Sequence, residues 1–240
     1  MTKQGRLTTV AVVPAAGVGL RMKSSRAKQF LSLDRRPVLA VTLSVLQACR
    51  HIDEMVLVAA SQDVAYCREH IVDEYGLYKV TAVVPGGARR QDSVRLGIEA
   101  TQGRHDLVLI HDGVRPLIDQ DLLSRVIEAA ETQRAVIAAL PARETVKEVN
   151  AANEVARTLD RGRVWLVQTP QAFRYNEILK AHHLALAHGW EATDDAFLME
   201  KLGVPVAVVE GSERNIKVTT PHDLELARFL LGSHPGTERT

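Results

Sequence analysis

Short runs made almost wholly of Val, Leu, Ile, Met and Ala punctuate the chain: Val10–Val13, Met55–Ala59, Val80–Val84, Leu107–Ile110, Val136–Leu140 and Val206–Val209. Runs without polar alternation predict strands of a sheet that is covered on both faces. Between them the apolar residues fall three and four apart. Val38, Leu39, Leu43 and Leu46 form one such stripe, and Leu122, Leu123, Val126, Ile127 and Ala130 form another, the spacing of helices with one face on a core. Strand and helix in alternation predict an α/β architecture with parallel strands joined by crossover helices, in a doubly wound, mostly parallel sheet.

From Ala142 to Phe173 the rhythm breaks. This segment is richer in charge, and its short alternating pieces Val146–Val149 and Val164–Val167 are separated by Asn-rich and Gly turns. It reads as a hairpin-like β-arm protruding from the sheet. Helices are then expected over Asn176–His188, Asp194–Leu202 and Pro221–Leu231, the last with proline at its start, where no N–H donor is needed. With no repeat and no interdomain linker, residues 1–240 read as one domain with an arm excursion over about 142–173.

Composition narrows the partners. Thirty Lys and Arg against 29 Asp and Glu leave a net charge of +1, too little excess cation to hold a polyanion without sequence preference. The ten aromatic residues are scattered and offer no base-stacking platform. No partnership with nucleic acid is expected. Cys49 and Cys67 form no Cys-x-x-Cys pair and read as small buried hydrophobes. His182 and His183 cannot share one helix face and read as solvated. No apolar run reaches the ~18 residues of a membrane span, and Met1–Thr9 is polar and basic, so the expected location is cytoplasmic.

In an open parallel sheet, ligands bind beyond the carboxyl ends of the strands. The loop after the first run reads Pro14-Ala15-Ala16-Gly17-Val18-Gly19-Leu20-Arg21-Met22, with Lys28 shortly after. Its small residues let backbone N–H groups approach phosphate oxygens, and Arg21 and Lys28 can balance the charge. Met22 stands where the dinucleotide fingerprint needs Gly or Ala, and the Gly-Lys-Ser/Thr of Walker A is absent. The loop Pro85-Gly86-Gly87-Ala88-Arg89-Arg90-Gln91-Asp92-Ser93 suits a base or phosphate held by backbone groups, with the Ser93 hydroxyl beside them, or a simple turn and helix cap.

The loop His111-Asp112-Gly113-Val114-Arg115-Pro116 follows the fourth apolar run. A carboxylate at the end of a buried strand needs a cation. Mg2+ on a triphosphate is one candidate, and a structural pair with Arg115 is the other. Thr145 and Lys147, Asp160-Arg161, Thr169-Pro170-Gln171, Thr193-Asp194-Asp195 and Asn215-Ile216-Lys217-Val218-Thr219 add hydroxyls and cations suited to a small polyhydroxylated phosphate. Singly, Thr193 and Thr219 or Thr220 would serve equally well as helix caps.

Taken in order, these loops resemble the 2-C-methyl-D-erythritol 4-phosphate cytidylyltransferase family from about residue 8 to residue 231. The resemblance implies a Rossmann-like nucleotidyltransferase fold. It also implies a Mg2+-dependent reaction of CTP with methylerythritol 4-phosphate, in which the acceptor phosphate attacks the α-phosphorus in line and pyrophosphate leaves. By the same resemblance Arg21, Lys28 and Lys217 are catalytic. Ala15, Ala16, Gly17, Gly87, Ser93 and Asp112 hold the nucleotide, Asp112 also anchors the metal, and Arg115, Thr145, Arg161 and Thr193 hold the alcohol phosphate. The arm would exchange between two subunits of a homodimer, placing Thr145 and Arg161 in the partner's site.

Some positions depart from the family pattern: Arg89 stands where an acidic residue is common, Ala27 where proline is, Asp195 where Glu is, and Gly113-Val114 where Ala-Ala or Ala-Val is. No second catalytic domain is expected after Leu231. Two alternatives remain at this level. A ribitol 5-phosphate cytidylyltransferase would use much the same loops, and a non-catalytic CTP-binding sensor would keep the fold without turnover.

Overall fold

Strand β1 (Thr9–Pro14) is buried at every position but its last and lies inside a seven-stranded sheet. The computed structural model describes residues 6–17 and 27–232. The next elements are β2 (Ser32–Leu33), β3 (Arg36–Pro37), α1 (Val38–Ala48), β4 (Glu54–Ala59) and α2 (Val64–Cys67), which widens into a π-helical turn over Arg68–Asp73. Then come β5 (Val80–Pro85), α3 (Arg90–Ala100), β6 (Leu107–Ile110), α4 (Gln120–Thr132) and β7 (Ala135–Pro141). The chain ends with β8 (Lys147–Val149), β9 (Val155–Thr158), β10 (Trp165–Arg174), α5 (Tyr175–His188), α6 (Asp195–Lys201), β11 (Ala207–Glu210) and α7 (Pro221–Gly232).

All six apolar runs form strands. The sheet order is β11-β7-β10-β6-β1-β4-β5. From β1 the chain moves outward through β4 to β5 and then returns to β6 on the other side of β1. Crossovers on the two sides of β1 thus diverge, which opens a crevice at the carboxyl ends of β1 and β6. One face of the sheet packs Leu39, Leu43 and Leu46 of α1 and Leu122, Val126 and Ile127 of α4 against Ala11, Leu57 and Leu109. The other packs Val94 and Ile98 of α3, Ile178 of α5 and Leu198 of α6 against Val10, Val12, Val56 and Val108. Strand residues alternate between the two faces, so each apolar run serves both layers. Cys49 and Cys67 are buried, and burial pushes the Cys67 thiol up to about 12.

Glycine 97 sets how closely α3 approaches the sheet, because a Cβ there would lie 2.5 Å from Val12 Cγ1 and 2.8 Å from Val58 Cγ2.

The arm differs from its expected form. Val146–Val149 pairs not with Val164–Val167 but within a small separate hairpin, β8 against β9. Trp165–Val167 instead starts β10, a ten-residue strand that lies antiparallel between β6 and β7 and is buried from Gln168 to Phe173. Residues 165–173 therefore belong to the sheet, and only the preceding part of the 142–173 excursion stands away from it. A register shift between Gln168 and Gln171 accommodates Pro170.

Candidate active site

The crevice holds two adjoining clefts. Ala15, Ala16, Gly17, Lys28, Gly87, Ser93, Asp112 and Lys217 line the first, together with Arg89 and Arg90. Arg115, Thr193, Thr169, Gln168 and Phe197 line the second, and Arg90, Asp112 and Lys217 belong to both. Arg21 lies outside the described residues. Thr145 and Arg161 line neither cleft; both are exposed on the arm, where Arg161 Nη1 donates to Arg143 O at 2.8 Å.

The loop after β1 is tied down from both sides. Ala15 N–H donates to Val58 O at 2.7 Å, and buried Gln29 donates through Nε2 to Ala15 O at 2.8 Å. Both polar backbone groups of Ala15 are engaged within the protein, and its methyl group packs in the core with Val13 and Leu39. The Gly86-Gly87 turn is closed by the start of α3: Gly87 N–H donates to Ser93 Oγ at 3.2 Å, and Ser93 Oγ donates to Arg89 O at 3.1 Å. A side chain at Gly87 would collide with Asp92 Cβ, which explains glycine there. Arg89 borders the same cleft with its charge already matched. Its guanidinium pairs with Asp92 at 3.0 Å and Glu191 at 3.2 Å.

Where the clefts meet, Asp112 is clamped. Arg90 Nε donates to its Oδ1 at 2.9 Å and Lys217 Nζ to its Oδ2 at 2.7 Å. Burial alone would raise the Asp112 pKa, but Arg90 and Lys217 hold the carboxyl far below the usual range, so the group is ionised. Its backbone N–H donates to Thr169 Oγ1 at 3.1 Å, which ties the loop to β10. Arg115 is not the ion-pair partner weighed from the sequence. It is buried and donates through Nη1 to Asn215 O at 2.7 Å. Asn215 in turn donates through Nδ2 to Thr169 O at 2.8 Å and to Gln168 Oε1 at 3.2 Å.

Three groups here carry no role in the sequence reading: Arg90 and Asp195 stand within its motifs without one, and His182 reads there as solvated. Instead His182 is 1% exposed, with Nε2 3.2 Å from Asp195 Oδ1, while its neighbour His183 is on the surface against Glu99 at 3.0 Å. Adjacent helical residues project about 100° apart, so one ring faces inward. Thr193 is not the cap of α6. Asp194 takes that place, accepting from Phe197 N–H at 3.1 Å, whereas Thr220 does cap α7 by accepting from Asp223 N–H at 3.2 Å.

The match of the family model for 2-C-methyl-D-erythritol 4-phosphate cytidylyltransferase (IspD) spans residues 9–233. A protein of that description from Syntrophus aciditrophicus is 48% identical over 227 residues, covering 95% of this chain and 97% of its own. Another from Geotalea uraniireducens is 45% identical, with 95% and 98% covered. Among solved structures, the 4-diphosphocytidyl-2C-methyl-D-erythritol synthase of Anaerococcus prevotii superposes with a TM-score of 0.83 at 33% identity, covering 95% of this chain and 99% of that one. The 2-C-methyl-D-erythritol 4-phosphate cytidylyltransferase of Thermus thermophilus does so with 0.74 at 34% identity, covering 92% and 98%. A doubly wound sheet with its clefts at the switch point, matched over nearly its whole length by these relatives, places the chain in the 2-C-methyl-D-erythritol 4-phosphate cytidylyltransferase family.

Proposed function

We propose that the two clefts divide the reactants of this family's cytidylyl transfer, CTP in the first and methylerythritol 4-phosphate in the second, with the new bond forming where Asp112, Arg90 and Lys217 belong to both. That shared boundary is the observation that carries the reading. The relatives bear the methylerythritol name, which separates this acceptor from ribitol 5-phosphate.

In this reading Ala16, Gly17, Gly87 and Ser93 seat the nucleotide, with Ala15 holding the loop that carries Ala16 and Gly17. Lys28 and Lys217, with Arg21, balance the charge that builds on the α-phosphate and the departing pyrophosphate. Arg115 and Thr193 hold the alcohol phosphate in the second cleft. Alignment of the attacking and leaving oxygens supplies the remaining part of the rate. No protein nucleophile is needed.

The residues present fit one Mg2+ brought with the nucleotide. No group of three or more His, Cys, Asp or Glu that could cage a metal exists among the described residues, whereas a hard cation that takes most of its oxygens from triphosphate and water needs a single carboxylate. Asp112 would hold it, and its chemistry there would be to neutralise phosphate charge.

The arm supports a homodimer. Val149 and Val155, paired across the β8–β9 hairpin, expose 55% and 60% of their surface, apolar area that a second copy would cover. Thr145 and Arg161 would then serve the partner's second cleft. No helix among the described residues is long and apolar enough to cross a membrane, and a cytoplasmic location suits an enzyme that uses a nucleoside triphosphate.

The test is pyrophosphate release from CTP and Mg2+ with methylerythritol 4-phosphate, ribitol 5-phosphate or no acceptor, beside a chelator control. Release with methylerythritol phosphate alone, abolished by the chelator, is expected. Release with ribitol phosphate alone would move the acceptor. CTP binding without release would make the protein a sensor.

A further inference from the structure

Behind the Asp112 clamp lies a second layer of charge that the transfer described above leaves without a task. Asp195 opens α6 and is 1% exposed. Its Oδ2 accepts from Arg90 Nη1 at 2.7 Å, while Arg90 Nε donates to Asp112 Oδ1 at 2.9 Å. One guanidinium thus bridges two buried carboxylates through two different nitrogens. On the far side His182 Nε2 lies 3.2 Å from Asp195 Oδ1, too poorly aligned for a directed hydrogen bond, and neither ring nitrogen has a hydrogen-bond partner among the described residues. His182, Asp195, Arg90 and Asp112 form a file from α5 through α6 and α3 to the junction of the clefts.

A buried carboxylate is costly to retain unless it is paired, and Asp195 is held where pairing is accurate. Gln171 Oε1 of β10 accepts from the backbone N–H groups of Asp195 and Ala196 at 3.2 and 3.3 Å, and Gln171 Nε2 donates to Asp194 Oδ2 at 2.9 Å. The platform is therefore the sheet itself. An Arg90 paired with Asp112 alone would follow that carboxylate through any change of partner. Paired also with Asp195, it has a fixed point. Against the burial that would raise its pKa, the Arg90 guanidinium holds the Asp195 carboxyl below the usual range.

We propose that Asp195, backed by His182, is a positioning residue that fixes the Arg90 guanidinium at the junction of the two clefts and so sets the orientation of Asp112 during transfer. The proposal rests on the reading of the clefts given above. Because Arg90 borders both, its displacement disturbs the alignment of the reactants. Ala16, Gly87 and Ser93, which also seat the nucleotide, are untouched, so turnover suffers far more than CTP affinity.

The test compares Asp195→Asn, Arg90→Lys and the double variant by kcat, KM for both substrates, CTP affinity by calorimetry and melting temperature. Each single change is expected to lower kcat by about 10- to 100-fold while the CTP dissociation constant stays within about threefold. The double variant is expected to be no worse than the poorer single one, because both remove the same bridge. His182→Gln reads the file from its other end, and serves if Asp195→Asn does not fold; it is expected to lower kcat with CTP affinity retained. Full kcat in Asp195→Asn or His182→Gln, losses that multiply in the double variant, or CTP affinity falling in step with kcat would each overturn the proposal. The wild-type assay separates the two levels: active wild type with an unimpaired Asp195→Asn removes the positioning role alone, and inactive wild type removes the reading of the clefts and the role with it.

Discussion

The ring of His111 is fully enclosed, and its two nitrogens meet different partners: Nε2 lies 3.1 Å from Arg115 O and Nδ1 3.3 Å from Thr169 Oγ1. A neutral ring that donates from Nε2 and accepts at Nδ1 satisfies both. Burial lowers its pKa from 6.5 to about 4. Between those values the unfolded chain takes up a proton that the folded protein refuses, so acidification through this interval removes about 3 kcal/mol of stability, with no further loss from this group below it. Urea midpoints measured from pH 7 to 4 should fall along this slope, and His111→Gln should flatten it. Lys28→Ala should reduce turnover by at least about 100-fold while CTP affinity changes far less, as expected of a group that acts on charge in the transition state; single-turnover rates beside calorimetry decide it. Asp112, Ser93, Arg115 and Lys217 could be picked out from the chain because each sits in a short local motif. The file of His182, Asp195 and Arg90 could not, since the three are separated by many residues and only the docking of α5 and α6 on α3 brings them together.

Helix α3 connects the glycine turn to the core, and its distance from the sheet depends on Gly97. Gly97→Ala should overpack against Val12 and Val58 and cost about 1–3 kcal/mol, read as a lower denaturation midpoint with an unchanged slope. The apolar runs and helical stripes made most elements legible, because burial on both sheet faces leaves a continuous hydrophobic signature. Strand β10 reads from the sequence as part of the arm for a definite reason. Pro170, set among Gln168, Thr169 and Gln171, argues against a central strand, and the register shift that admits it has no local signature. The π-helical turn after α2 likewise has none.

At the scale of the molecule, the two clefts are made within one chain whereas Thr145 and Arg161 stand out on the arm. If the arm completes a partner's site, Arg161→Ala should raise KM for methylerythritol 4-phosphate and leave that for CTP unchanged. At methylerythritol 4-phosphate concentrations below the raised KM, mixing Arg161→Ala with Lys28→Ala subunits should then give more activity than either variant alone, because one site of each mixed dimer carries neither lesion. Mixtures that stay inactive after subunit exchange would show that each chain works with its own arm. The doubly wound layout and its crevice were foreseeable from strand and helix alternation, but the pairing of β8 with β9 was not, since the exposed arm carries little burial pattern.

The pairing of four of the described cations at the clefts has a consequence for life in a crowded cell. Arg89, Arg90, Arg115 and Lys217 each already face an acceptor supplied by the protein itself. A cavity of bare guanidinium and ammonium groups would scavenge RNA, polyphosphate and sulfate indiscriminately. A cavity whose positive groups are occupied in advance yields them only to a visitor shaped to compete for them, and so remains quiet among the many anions that drift past its mouth.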